Sequence, residues 1–190
     1  DHFLRWFIPG VLAGIAHLTR ADGILFLGIG FFAVLYSSQL KVRSLSGLIG
    51  GYLLIMGSWW LLNLTLTGSP MAGGASRILW ATNYDELFSY PPDKLTFDRW
   101  FQSGFGEIFL LRIEALWANL QTLFFVNGVI FLSPFMIIGF WNQRRSLISH
   151  LVFFYIVLLL VFMSFVFPFA GSRGGFFHSS AAVMPILWGF

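Results

Sequence analysis

The sequence predicts an all-α fold: a polytopic bundle of about six transmembrane segments, with one long extracytoplasmic loop bearing short interfacial helices. Two observations predict it. Residues 23–40, 44–76, 115–143, 146–172 and 174–190 contain no Asp, Glu, Lys or Arg. A charge in a hydrocarbon core costs several kcal/mol, so charge-free apolar runs of about 20 residues read as membrane spans. Composition agrees: hydrophobic residues make up 57% of the chain and charged residues 10%, against about 25% charged in soluble domains. The 24 Phe and 8 Trp suit lipid-facing and interfacial positions.

Taken in order, the first two apolar segments cover about 3–18 and 23–38, separated by Thr19-Arg20-Ala21-Asp22. At roughly 16 residues each they reach only ~24 Å, short of a ~30 Å hydrocarbon core. They are expected to tilt into a thinned region, or to let the Arg-Asp turn dip below the membrane surface. The third segment is about 45–66, the fourth about 115–141, the fifth about 147–169, and a sixth starts near 178. All should be helical, because an open sheet edge cannot face lipid, and the alternation of barrel strands is missing. The whole of 1–190 reads as part of one transmembrane domain, a piece of a longer membrane protein.

Loop charges orient the segments. With the N-terminus inside, the cytoplasmic side collects Arg5, Lys41, Arg43, Arg144 and Arg145 against Asp1. The other side collects six basic and seven acidic residues. Short loops decide such orientations, and 39–44 and 142–146 carry two basic residues each. The 67–114 loop is therefore expected outside a multi-pass protein of a plasma or inner membrane. It opens with the turn Thr67-Gly68-Ser69-Pro70. A helical turn is expected at Tyr84–Phe88, a break at Pro91-Pro92, and an interfacial segment at Thr96–Phe101.

Net charge of +3, dispersed along the chain, does not point to nucleic acid. Having no cysteine, the chain can form no disulfide, thiolate metal site or Cys nucleophile. No P-loop, His-Glu-x-x-His or Gly-x-Ser-x-Gly pattern occurs. No cofactor is implied, and a need for a divalent metal stays open. Asn63-Leu64-Thr65 matches a glycosylation sequon but sits in an apolar run too near the membrane. Gly10-x-x-x-Gly14 and Gly47-x-x-x-Gly51 fit close helix packing.

Three polar groupings remain as candidates. In His17–Gly23, Arg20 either snorkels to headgroups while Asp22 caps the next helix, or faces a phosphate with Asp22 orienting it. In Gly171–Ser180, Arg173 and His178 flank a glycine-rich helix entry that would suit an anion, unless it is an ordinary re-entry turn. In the loop, Arg77, Tyr84, Asp85, Glu86 and Arg99 include a carboxylate pair able to act as a base, although such a pair more often marks a solvated loop face.

Leu18-Thr19-Arg20-Ala21-Asp22-Gly23, set between two apolar helices, resembles the LTRPDG/LTKG segment of GT-C glycosyltransferases, the polytopic enzymes related to protein mannosyltransferases and the lipid A aminoarabinose transferase. Trp59-Trp60-Leu61-Leu62-Asn63 with Thr67-Gly68-Ser69-Pro70 is similar to that family's W-x-x-R-N…G-S/T-P helix exit, Leu62 standing where Arg is frequent. Arg173, His178 and Pro185 resemble its R-Y-x-x-P-x-x-P entry, Gly174 replacing the Tyr. The resemblance implies transfer of a sugar from a polyprenyl-phosphate carrier to an extracytoplasmic acceptor. It implies a catalytic Asp or Glu in a first outer loop. No residue here matches that motif, so the base is expected upstream of Asp1. Arg173, then Arg20, then Arg77 would meet the carrier phosphate, with Asp22 orienting Arg20. His178 would donate to phosphate or acceptor, and Tyr84 would pack on the sugar. A transporter or flippase of lipid-linked sugars, or a non-catalytic membrane scaffold, would use the same boundary cations without a carboxylate.

Overall fold

The computed structural model of the chain describes residues 2–37, 39–71, 77–89 and 92–190. Every regular element among them is helical. Asp1 and Pro91 lie outside the described residues, so the expected break at Pro91-Pro92 is seen only as the turn Pro92–Lys94. The chain divides into two units, Asp1–Ala72 and Gly73–Phe190.

In the first unit α1 (His2–Thr19), α2 (Ile24–Ser37) and α3 (Lys41–Thr67) pack together. The α1–α3 contact is made backbone to backbone. A methyl group on Gly10 would run into the Leu48 carbonyl, one on Gly47 into Phe3, and one on Gly51 into the Phe7 carbonyl. Those pairs advance together, so the two helices run parallel, as two helices joined through a returning third must. The spaced glycines read from sequence thus serve helix packing, where small residues let dispersion and weak polar contacts hold helices together in lipid. Ala13, Tyr52 and Met56 form the core beside the seam, with Leu27 and Trp60 packed on it. Asn63 is buried and its amide donates to the Trp59 carbonyl at 3.1 Å, so the sequon is folded into α3.

The second unit holds two short loop helices, α4 (Glu86–Ser89) and α5 (Phe97–Gln102). Thr96 caps α5 through its hydroxyl. Then come α6 (Phe105–Gln121), α7 (Ser133–Asn142), α8 (Leu147–Val161), α9 (Pro168–Ala170), α10 (Phe176–Ser180) and α11 (Met184–Trp188). Wider π-helical turns continue α6 over Thr122–Asn127 and α8 over Phe162–Val166, and a third lies at Gly171–Gly175. Buried polar pairs tie this unit together: Asn119 donates to Ser164 at 3.0 Å, Asn127 to Ser180 at 2.5 Å, and Tyr155 to the Ser179 carbonyl at 2.9 Å. Such pairs satisfy polar atoms where water is scarce.

Among the described residues three helices are long and apolar enough to cross a membrane: Lys41–Thr67, Phe105–Asn127 and Leu147–Val166. The expectation of about six segments is met only in part. The fourth segment is not one helix over 115–141. It begins ten residues earlier, at Phe105, and stops at Gly128. Val129 (φ 48°) and Ile130 (φ 50°) adopt a left-handed conformation that β-branched residues resist, and a Pro near its start then opens α7 afresh. The sixth segment is two five-residue helices, α10 starting at Phe176 and α11 with a Pro in its first turn. Large apolar side chains such as Leu61, Leu66, Phe125 and Ile138 stand exposed, as lipid-facing side chains do.

Candidate functional site

The second unit contains a cavity of about 340 Å³. One wall is a single face of α6, made by Leu111, Glu114, Ala115 and Ala118. Their spacing of three, four and seven residues aligns them on the helix surface, and the two alanines leave the space. A second wall is Pro168, Phe169, Ser172 and Arg173. The loop residues Thr82, Asn83 and Tyr84 supply the third.

Arg173 reaches this position through a break in the helix. Its own backbone (φ −100°, ψ 30°) and that of Gly174 (φ 106°, ψ −13°) leave helical geometry inside Gly171–Gly175. Only glycine accepts φ near 106° without strain, which gives a local reason for Gly174 where the GT-C pattern has Tyr. The Arg173 guanidinium lies 4.9 Å from the centre of the Tyr84 ring. At that distance the ring face attracts the cation and holds it at the cavity wall. The Ser172 hydroxyl donates to the Pro168 carbonyl at 2.8 Å. Two residues chosen separately from the sequence, Arg173 and Tyr84, are therefore brought together.

Tyr84 is held by a hydrogen-bonded strap. Glu86 is 2% exposed and pairs with Arg99 of α5. It accepts from the Thr82 backbone at 2.8 Å and from the Thr82 hydroxyl at 3.1 Å, while its own N–H donates to Asn83 Oδ1 at 3.1 Å. Burial by itself pushes the Glu86 carboxyl up; hydrogen bonds from Arg99 and Thr82, and the Arg99 charge, outweigh it and hold the group at about 2. The expectation of a solvated Asp-Glu pair fails for Glu86: its lone pairs are taken, so it orders the loop and leaves no base there. Asp85 beside it is exposed. Arg99 also lies beside an aromatic cluster, Trp80 against Phe97 at 5.1 Å and against Trp100 at 5.5 Å.

A pH dependence follows from the sign of that shift. Lowering the folded carboxyl stabilises the strap fully above its ordinary value near 4.5, and the contribution disappears as pH falls toward 2. Near-ultraviolet circular dichroism of the Trp80–Trp100 cluster is expected to stay constant above about pH 5 and to fade below it. Glu86→Gln should weaken the signal at neutral pH and flatten its acid dependence; an unchanged profile would mean the bridge does not hold the loop.

In the first unit, Arg20 Nε donates to Asp22 Oδ1 at 3.0 Å. Asp22 is 8% exposed, whereas the Arg20 side chain is 47% exposed. The pair fixes the carboxylate in the fold with the guanidinium reaching outward, a geometry that both readings of Arg20, headgroup snorkelling and phosphate contact, can use. One turn earlier, His17 Nδ1 and the Tyr52 hydroxyl share a hydrogen bond of 2.6 Å.

Of the predicted site residues in the second unit, two do not join the cavity. Arg77 is exposed on the helical turn 77–80, and His178 is exposed on α10 with its ring edge against Phe177; neither lines the cavity walls. The cavity also contains a residue missed from sequence, Glu114. It borders the charge-free run 115–143 and reads as the loop's last residue. Extending the helix back to 105, on the spacing of Glu107, Leu111, Glu114 and Ala118, would have found it. Among the described residues no three His, Asp or Glu side chains gather to hold a metal ion.

No known protein family, curated protein or solved structure matches this chain.

Proposed function

We propose that this chain is part of a membrane glycosyltransferase that moves a sugar from a polyprenyl-phosphate carrier to an extracytoplasmic acceptor, with Arg173 receiving the carrier phosphate. The observation that carries this reading is Arg173 itself: a guanidinium stacked on Tyr84 at the wall of a cavity, in a unit with two helices apolar enough to cross a membrane. In transfer, the acceptor oxygen bonds to the anomeric carbon as the bond to the phosphate oxygen breaks. The electron pair leaves with the polyprenyl phosphate, whose charge grows toward the transition state. A cation held beside the leaving phosphate stabilises that charge more as it develops than in the ground state. The acceptor proton goes to a carboxylate base, which the GT-C resemblance puts in a first outer loop. Arg20, held by Asp22, is a second cation suited to the carrier's headgroup.

Connectivity supports the sidedness. If Lys41–Thr67, Phe105–Asn127 and Leu147–Val166 each cross once, the Tyr84 loop and the Arg173 turn emerge on one side, opposite the basic loops 39–44 and 142–146. That agrees with their contact, and the positive loops assign the shared side to the exterior. Because the chain has no cysteine, single cysteines report topology cleanly. In intact cells, Asp93→Cys is expected to react with a membrane-impermeant maleimide and Arg144→Cys only after permeabilisation; the reverse would invert the orientation. The function is tested by membranes supplied with polyprenyl-phosphate sugar. Transfer supports the reading, whereas carrier binding without transfer would move it to a transporter.

A further inference from the structure

Building on that reading, we infer that the Arg173 cavity holds the sugar as well as the phosphate, and that Glu114 is the residue that reads the sugar's hydroxyls. A phosphate alone does not explain the cavity. Its volume of about 340 Å³ falls within the range of small-molecule sites, ~300–1,000 Å³, and exceeds what one phosphate fills. Nor does a phosphate explain a carboxylate in the lining, which would repel it. An ionised carboxylate is an acceptor only, so it wants a ligand that brings donors. A glycosyl phosphate brings both, an anion for Arg173 and a ring of hydroxyls for Glu114.

The rest of the lining fits a sugar. Tyr84 and Phe169 offer apolar ring surface, Asn83 offers an amide, and Ala115 and Ala118 keep the α6 face open. Glu114 differs from Glu86 in the decisive respect. Glu86 is buried and spends its oxygens on Arg99 and Thr82, while Glu114 is exposed at the cavity wall and, among the described residues, makes no hydrogen bond or ion pair that would keep its oxygens from a ligand.

The test uses the full-length protein in nanodiscs and two kinds of probe, farnesyl phosphate and farnesyl phosphate bearing glucose, mannose, galactose or a pentose. The wild type is expected to prefer at least one glycosylated probe. E114Q and E114A should bind that probe about tenfold more weakly, the scale of a hydrogen bond to a charged group, while farnesyl phosphate binds as well as before or better. R173A should weaken both probes. Thermal melting of each variant in detergent verifies folding, and E114D, one methylene shorter, should recover part of the preference. Equal weakening of both probes by E114Q, or no loss on the glycosylated probe, would overturn the inference and leave the phosphate reading standing. A wild type with no preference would do the same. A wild type that binds neither probe would overturn both.

Discussion

With transfer from a polyprenyl-phosphate sugar as the readout, Arg173→Ala is expected to lower kcat about a hundredfold or more, the scale of removing one preorganised donor to a developing oxyanion. The loss should fall mainly on kcat, because the leaving phosphate carries more charge in the transition state than in the bound carrier. Arg173→Lys keeps the charge but loses the planar fork and much of the stacking on Tyr84, so it should recover only part of the rate. Tyr84→Phe preserves the ring and should be near wild type, whereas Tyr84→Ala removes a cation–π contact worth ~0.5–2 kcal/mol and should loosen the arginine. Arg77→Ala is the internal control, an exposed cation outside the cavity lining. Membrane insertion of every variant must match wild type. Full turnover by Arg173→Ala would remove this residue from the site, and equal losses from Arg77→Ala would reduce the effect to general surface charge.

Gly51→Ala is expected to disrupt the first unit, and Gly57→Ala, six residues along the same helix, to leave it intact or slightly more stable. A methyl group at Gly51 would meet the Phe7 carbonyl and the Val11 backbone nitrogen, neither of which can rotate away. The helices must separate, which costs more than the ~1–3 kcal/mol of ordinary overpacking and opens the seam around Tyr52. At Gly57 nothing lies within 4 Å of the added carbon, so alanine contributes only its better helix propensity, about 1 kcal/mol. Thermal denaturation in detergent separates the two. A Gly51→Ala protein as stable as Gly57→Ala would mean that α1 and α3 do not pack through their backbones.

The glycine seam shows how far sequence reading reached. Spacing by four marked Gly10, Gly14, Gly47 and Gly51 as a packing surface, because only a repeated absence of side chain lets backbones touch. The loop helices were legible as an expected turn at Tyr84–Phe88 and an interfacial segment at Thr96–Phe101, whose aromatic residues need a surface to bury against; the Thr96 cap was seen only in the structure. The cavity was legible only in pieces. Arg173 and Tyr84 stood out as boundary groups, but they are 89 positions apart and nothing in the sequence pairs them. Glu114 and Glu86 were harder, since two carboxylates of the same polar island take opposite roles: one is consumed by Arg99 and Thr82, the other lines the cavity.

Composition and charge spacing alone determined that this chain is helical and built for a membrane, because solvation of charge and of backbone polar groups is a local cost that each segment bears separately. They also placed the polar island between apolar runs. Tertiary structure decided where helices start and stop and which polar residues meet. The helix from Phe105 runs through charged residues that hydropathy assigned to the loop, since Arg112 lies over Trp100 and donates to the Ile108 carbonyl, so its charge has partners. Helix ends at Gly128 and Gly174 depend on backbone angles that a hydropathy profile does not register. A site formed by a loop, a helix face and a helical break exists only after those three are packed, because its energy lies in contacts between residues far apart in the chain.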